Sequence, residues 1–493
     1  MIQGTGSGVG KSFIAAGLCR IFSDMKLRVA PFKAQNMALN SFVTLEGGEI
    51  GRAQAFQAEA SRVEPLNDMN PVLLKTQSDA GCQVILNGRV HSSMTAREYY
   101  AFRENAWITV KEAYDRLSRK FDVIVLEGAG SPAEINLSKE EIVNMNMACH
   151  ANSPVLLVGD IDKGGVFASL FGTVELLNGG GSDLIRAFVI NKFRGDRSIL
   201  APGLEIIHKK TGRPVIGVVP HLGDMAMHEE DGIPAGRMHW AGNYDSVRIA
   251  VVRLASISNF TDFDPFMYET DVDIHYTLGK SDLEQADLII LPGTKNTVKD
   301  LLKLRKTGID LVIRDCAKRG RPVIGICGGY QMLGQKILDP DCIESQHPEV
   351  KGLGLLDTVT TIEKQKITRR VTADILLPPP GIKNTAKAIQ GYEIHQGRTE
   401  HLKPLFDLHP GGEGSIPDGA AKAGVWGTYL HGIFDNDTFR RELIDSLRKR
   451  KCLPPLSDTI SYAAKRDEAI NRWAEVLRDN LDMEFIFDTV GVK

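Results

Sequence analysis

Residues 4–12 read GTGSGVGKS, and the Gly-Lys-Ser that closes this run decides how the first half of the chain folds. A glycine-rich loop that opens a helix points its backbone N–H groups at phosphate oxygens, with the helix N-terminus behind them. Lys11 adds a point charge and Ser12 a hydroxyl able to ligate Mg²⁺, while Gly4, Thr5, Gly8 and Gly10 supply the backbone of the same candidate nucleotide site. The loop is a stretched variant, because Thr5 stands where the first glycine of the ordinary spacing belongs and Gly4 lies one place earlier. Ile14, Leu18, Ile21, Phe22 and Met25 then recur at helical spacing, so the loop leads into an amphipathic helix. Only Met1, Ile2 and Gln3 come before the loop, which predicts a very short first strand.

Further along, nearly continuous apolar runs at 27–32, 123–126, 154–159, 187–191 and 214–219 alternate with helical stretches. Strands buried on both faces read this way, and the alternation predicts a parallel, doubly wound sheet over residues 1–225. Ser138 with Glu141 reads as a capping box that opens one of the intervening helices. Residues 226–245 are polar and aperiodic and read as a linker. A second α/β domain is expected over 246–440, with strands at 248–254, 288–292 and 322–326, a helix at 296–305, and mixed or antiparallel strands at 367–376, 391–399 and 423–429. The charged tail 441–493, with helices at 438–451 and 462–479, is expected to pack on that second domain.

Open α/β sheets bind ligands at the C-terminal ends of their strands. The run VIVLEGAG delivers Glu127 to such an end, and GDIDKGG delivers Asp160 and Asp162 to the next; with Ser12, Glu127 and Asp160 are candidate ligands for a hard cation. The segment PFKAQNMALNS (31–41) leaves a strand carrying Lys33, Gln35 and Asn36, followed by Asn40 and Ser41, groups suited to a substrate carboxylate or phosphate.

The second domain carries its own chemistry. PVIGICGGYQMLG (322–334) sets Cys327 between an apolar strand and a helix, among Gly325, Gly328 and Gly329. Small neighbours permit the sharp, strained turn that exposes a nucleophile. Gly328 and Gly293, the latter at the end of LIILPGT, are candidate oxyanion-hole N–H donors. A cysteine nucleophile needs a base, and His431 in GTYLHGIF stands at a glycine-bounded strand end; His395 in GYEIHQG is the competitor.

Composition narrows the setting. At 493 residues, 43% apolar and 25% charged, the chain is long enough for several ordinary domains of roughly 100 to 200 residues each. A formal net charge of -3 with interspersed signs argues against nucleic acid or anionic membrane as partners. Seven cysteines without a CxxC pair fit a reducing cytoplasm, and no apolar run is long enough for a membrane span.

Around Cys327 and His431 the sequence resembles class I glutamine amidotransferases, and around the first loop it resembles dethiobiotin synthetase, which activates a carboxylate with ATP. Their order, with GTGSGVGKS, PFKAQNMALNS, VLEGAGSP, DIDKGGVFAS, INKFRGD, PVIGICGGYQMLG, GYEIHQG and GTYLHGIF, is similar to the cobyric acid synthase family over nearly the whole chain. The resemblance implies ATP- and Mg²⁺-dependent amidation of the b, d, e and g carboxylates of a corrinoid, adenosylcobyrinic acid a,c-diamide, with ammonia from L-glutamine. It further implies that Cys327 is the nucleophile and His431 the base, that Lys11, Ser12 and Glu127 handle nucleotide and Mg²⁺, and that Asn191 of INKFRGD contacts adenine. Cobyrinic acid a,c-diamide synthase, or a nucleotide switch with an inactive second domain, are the competing readings. One departure stands out: where many class I domains place a glutamate two residues after the histidine, this chain has Ile433, which leaves the third, orienting carboxylate unassigned.

Overall fold

A computed structural model describes residues 1–78, 81–136, 141–177, 181–222, 240, 245–383, 388–400, 402–411, 414–456 and 459–492. Ser138 of the expected capping box and nearly all of the expected linker lie outside these residues. The chain forms two compact units, one built from Met1–Ala38, Gly48–Glu230 and Arg466–Lys493, the other from Leu39–Gly47 and Asp231–Lys465.

In the first unit Ile2–Gly4 lies parallel to Val155–Asp160, which pairs with Ile185–Phe193 and through it with Val215–Pro220. Val29–Phe32 and Val123–Leu126 form a second parallel pair, and an Ile2–Glu127 bridge joins the two sets. Ile2–Gly4, Val29–Phe32 and Val155–Asp160 are buried throughout, as apolar runs covered on both faces require. Each expected strand of this domain is present, displaced by at most a few residues. A further sheet was not anticipated: Gln35–Met37, Val72–Ser78, Gly81–Leu86 and Arg89–Thr95 make a four-stranded layer, mostly antiparallel. It leads into the helix Ala96–Ser118, whose start is fixed by a Thr95–Glu98 capping box.

The helix Lys11–Asp24 buries Ile14, Leu18, Ile21 and Phe22, and what covers part of its surface corrects an expectation. The helix Tyr462–Asn480 leaves the second unit after its first turn: from Arg466 onward the chain, with the last helix Met483–Val490, is built into the first. Ile470, Trp473, Ala474 and Leu477 share a core with Ile14, Ala15 and Leu18, and Trp473 Nε1 donates to the Phe13 carbonyl at 2.6 Å. The fit is close at Gly17, where a Cβ would come within 2.4 Å of Leu477 Cδ1. Arg20, fully buried on the same helix, donates to Asp467 (2.7 Å) and Asn471 (2.6 Å) and so has its charge matched. Amphipathic periodicity fixed the helix but not its partner, since any apolar face of the right width would serve. Only the preceding helix, Asp437–Arg450, stays in the second unit, where Arg440 and Arg441 reach Glu269 and Arg441 and Arg448 reach Asp271.

The second unit centres on a six-stranded sheet ordered Val272–Thr277, Val247–Val252, Leu288–Leu291, Val323–Ile326, Val425–Thr428 and Ala420–Lys422, parallel except for the last. Three adjacent strands in this order end just before Gly293, Cys327 and His431. A second sheet is dominated by the long antiparallel pair Val359–Ile375 and Ile389–Thr399. No described helix is long and apolar enough to cross a membrane.

Candidate active site

Cys327 sits where the buried strand Val323–Ile326 turns into the short helix Gly328–Leu333, with φ 50° and ψ −110°. A non-glycine residue at positive φ stores strain of about 1–3 kcal/mol and persists only where the surroundings enforce it. They do so here: the Cys327 N–H donates to the Thr428 carbonyl (2.9 Å), and Gly329 packs so tightly that a Cβ would fall 1.9 Å from the Leu291 oxygen. The sulfur lies 3.6 Å from the Ile394 carbonyl oxygen.

His431 follows the neighbouring strand and exchanges two backbone hydrogen bonds with Tyr392, at 2.9 and 3.1 Å. The Tyr392 ring stacks on the imidazole, with centroids 5.1 Å apart and planes 13° apart. On the other side Nδ1 meets Asp262 Oδ2 at 2.6 Å, while Asp262 Oδ1 accepts the Gly432 N–H at 3.2 Å. Burial opposes a charge on His431, but the Asp262 carboxylate outweighs it, aided by Cys327, and the imidazole pKa rises from 6.5 to about 10. Nε2 has no nitrogen or oxygen partner among the described residues. With Nδ1 committed to Asp262 and Cys327 acting on the ring, Nε2 is the nitrogen left for chemistry.

Asp262 thus stands where an orienting carboxylate would, the place left unassigned by the sequence. It belongs to the 3₁₀ segment Phe260–Tyr268, far from His431 in the chain, while Ile433 is buried in a short turn of its own. The available signal was a pair of acids, Asp262 and Asp264, in an aromatic run beside the buried Phe260, Phe263 and Phe266, and of the two only Asp262 is buried. His395, the competing base, has both nitrogens occupied: Nδ1 lies 2.7 Å from the Gly397 carbonyl and Nε2 3.1 Å from Glu393, with Tyr429 stacked on its ring. The two candidate oxyanion glycines fall at the same place. A Cβ at Gly293 would lie 3.2 Å from His431 Cε1, and one at Gly328 would lie 3.1 Å from the Thr294 nitrogen. Asp300 anchors this corner by accepting from the Thr294 hydroxyl (2.5 Å).

In the first unit the loop after Gly4 closes on itself. Lys11 Nζ donates to the Gly6 and Gly130 carbonyls at 2.8 and 3.2 Å, a position from which it can turn to an anion. Thr5 donates its N–H to the Val158 carbonyl (2.9 Å), Lys192 Nζ reaches the Gly8 carbonyl (2.7 Å), and Asn191 Nδ2 donates to Val9 (2.8 Å). Asn191 therefore braces the loop, which also explains Gly10: at φ 96° a Cβ would lie 2.2 Å from Asn191 Nδ2.

Glu127, buried at 1% exposure, gathers Ser12 Oγ (2.8 Å), Lys33 Nζ (3.0 Å) and Gln57 Nε2 (2.6 Å). Burial alone would raise its pKa, but Lys33 and these hydrogen bonds lower it, so the carboxylate is ionised. An ionised carboxylate beside a serine hydroxyl is the hard-oxygen pair that suits Mg²⁺. Asp160 stands at another strand end and faces Lys192 (3.4 Å) and the Asp162 N–H (2.9 Å) instead of joining that pair. No cluster of three or more His, Cys, Asp or Glu suited to a metal occurs among the described residues.

The expected substrate groups divide. Lys33 stands beside Glu127, whereas Gln35 accepts from the Tyr99 hydroxyl (2.5 Å) and Asn36 donates to Gln54 (3.0 Å). Asn40 and Ser41, expected near substrate, are built into the second unit and make contacts there with Asn259 and Phe260.

Residues 1–235 match a family model described as the CobQ/CobB/MinD/ParA nucleotide binding domain, and residues 248–439 one described as the CobB/CobQ-like glutamine amidotransferase domain. A cobyric acid synthase of Clostridium botulinum (strain ATCC 19397 / Type A) is 46% identical over 100% of this chain and 99% of its own length. One from Dehalococcoides mccartyi (strain CBDB1) is 45% identical over 99% of this chain and 97% of its own.

Proposed function

This chain belongs to the cobyric acid synthase family, and on that premise we propose that Cys327, His431 and Asp262 release ammonia from L-glutamine while the loop at Lys11 activates corrinoid carboxylates with ATP. The observation that carries the first half is the buried Asp262–His431 contact of 2.6 Å beside the strained Cys327. The Cys327 sulfur attacks the glutamine carboxamide carbon, and the oxygen takes up negative charge toward the backbone N–H groups at Gly293 and Gly328. As the C–N bond breaks, protonated His431 gives its proton to the departing nitrogen, which leaves as ammonia; water then cleaves the thioester to glutamate. A positive ring beside the sulfur also favours the thiolate that does the attacking.

In the other half, an oxygen of the substrate carboxylate attacks the γ-phosphorus of ATP, and the bond to ADP breaks. Ammonia then displaces phosphate from the acyl phosphate to leave an amide. Lys11, released from the Gly6 and Gly130 carbonyls, would follow the charge on the transferring phosphoryl group. Ser12 and Glu127 would hold Mg²⁺, which when bound offsets phosphate charge, and Lys33 keeps Glu127 ionised. The substrates are adenosylcobyrinic acid a,c-diamide, ATP and L-glutamine, and amidation falls on the b, d, e and g carboxylates to give adenosylcobyric acid for cobalamin biosynthesis.

The test is to incubate the protein with ATP, Mg²⁺, L-glutamine and the diamide corrinoid and follow product masses. Four successive carboxylate-to-amide conversions are expected. Failure to amidate the diamide, with amidation of the a and c groups of the unamidated corrinoid, would reassign the chain to the earlier amidation.

A further inference from the structure

We infer that residues 40–43, which the sequence order assigns to the nucleotide-binding half, are positioning residues of the glutamine-hydrolysing triad. This rests on the reading of Cys327, His431 and Asp262 given above. Residues 39–47 belong by their packing to the second unit, although the chain on either side of them belongs to the first.

The anchor is an exchange between two asparagines. Asn259, at φ 53°, precedes the 3₁₀ segment that carries Asp262, and its side chain does not cap that segment. It accepts the Ser41 N–H instead, at 3.1 Å, while Asn40 Oδ1 accepts the Phe260 N–H at 3.3 Å. The first N–H groups of a helical turn need acceptors from outside it, and here a residue from a remote part of the sequence supplies one. The Asp262 N–H bonds to the Asn259 carbonyl (3.1 Å), so the exchange fixes the very turn that presents the carboxylate to His431.

The same strap bears on the opposite side of the triad. Val43 is fully buried in a cluster with Tyr392 and Ile394. The Phe42 and Tyr392 ring centroids are 6.1 Å apart, and Tyr392 is the ring stacked on His431. Ile394 supplies the carbonyl oxygen that lies 3.6 Å from the Cys327 sulfur. Arg370 holds the strap down, donating from Nε to the Val43 carbonyl (2.9 Å) with its guanidinium over the Phe42 ring. Four consecutive residues thus touch what orients the base, what stacks on it and what flanks the nucleophile, and none supplies a reacting group. Displacements of about 1 Å in such supports cost up to about 100-fold in rate.

The experiment compares Asn40→Ala and Asn40→Asp in the full chain, measuring amidation with glutamine and with ammonium salt. Asn40→Ala is expected to lower kcat with glutamine by about 10- to 100-fold, with KM for glutamine within about twofold and the ammonium-supported rate unchanged. Asn40→Asp keeps an oxygen acceptor for the Phe260 N–H and should restore most of the loss. The inference is overturned if Asn40→Ala retains the parent kcat with glutamine, if it raises KM alone, if both nitrogen sources fail together, or if Asn40→Asp is as impaired as Asn40→Ala. Cys327→Ala, run in parallel, tests the underlying reading separately: glutamine-dependent amidation surviving in that variant would remove the triad itself, whatever Asn40 does.

Discussion

At the scale of single residues, the decisive contact is the one that sequence spacing hid. The histidine of the ammonia-producing half is oriented by Asp262, which approaches from a different element and takes the place of the glutamate absent at Ile433. The contact has a sign. His431 titrates at about 10 in the fold against 6.5 unperturbed, so the charged ring contributes stability that is complete below 6.5 and disappears as the pH rises through about 10. In Asp262→Asn the stability deficit should therefore be largest in mildly acidic buffer and fade in alkali, as read by thermal melts across pH. Glutamine hydrolysis by that variant should fall by about 10²- to 10⁴-fold, with the alkaline limb of its pH–rate profile moved to lower pH. An unshifted limb would mean that Asp262 does not set the ring's charge. A second residue-scale prediction concerns Gly10. Its φ of 96° and the nearby Asn191 amide leave no room for a methyl group, so Gly10→Ala should cost about 1–3 kcal/mol in denaturant melts and weaken ATP binding.

At the scale of elements, what the sequence disclosed followed burial. Strands covered on both faces were legible as unbroken apolar runs, and Val123–Leu126 falls where the residues alone put it. The turns at Cys327 and before Lys11 were legible because a tight turn into a helix needs glycine neighbours in a fixed local order. In the sheet that includes Val72–Ser78, Gly81–Leu86 and Arg89–Thr95, the last strand is largely exposed and polar and carries no apolar signal. Asn40 and Ser41 were legible as polar loop residues but not as supports of the other unit, since backbone partners remote in sequence leave no local pattern. The same holds for the helix Tyr462–Asn480: its period announced an apolar face, whereas its partner depended on the groove at Gly17. Leu477 is fully buried there, so Leu477→Ala should destabilise the first unit by about 2–5 kcal/mol in urea. An unchanged midpoint would show that the helix adds nothing to that core.

At the scale of the whole molecule, the proposed function gives one polypeptide two chemistries that are useful only together: a thiol site that would free ammonia and a phosphate-binding loop that would make a carboxylate reactive enough to take it. The chain also interleaves the two units, since the first takes in the chain from Arg466 onward and the second takes in residues 39–47. Separation of the two chemistries is tested most directly by the amide yield of Cys327→Ala with ATP, Mg²⁺ and the diamide corrinoid, supplied with either glutamine or ammonium. No product is expected with glutamine, and a rate near that of the parent is expected with ammonium. Equal loss with both nitrogen sources, or undiminished synthesis from glutamine, would contradict that separation.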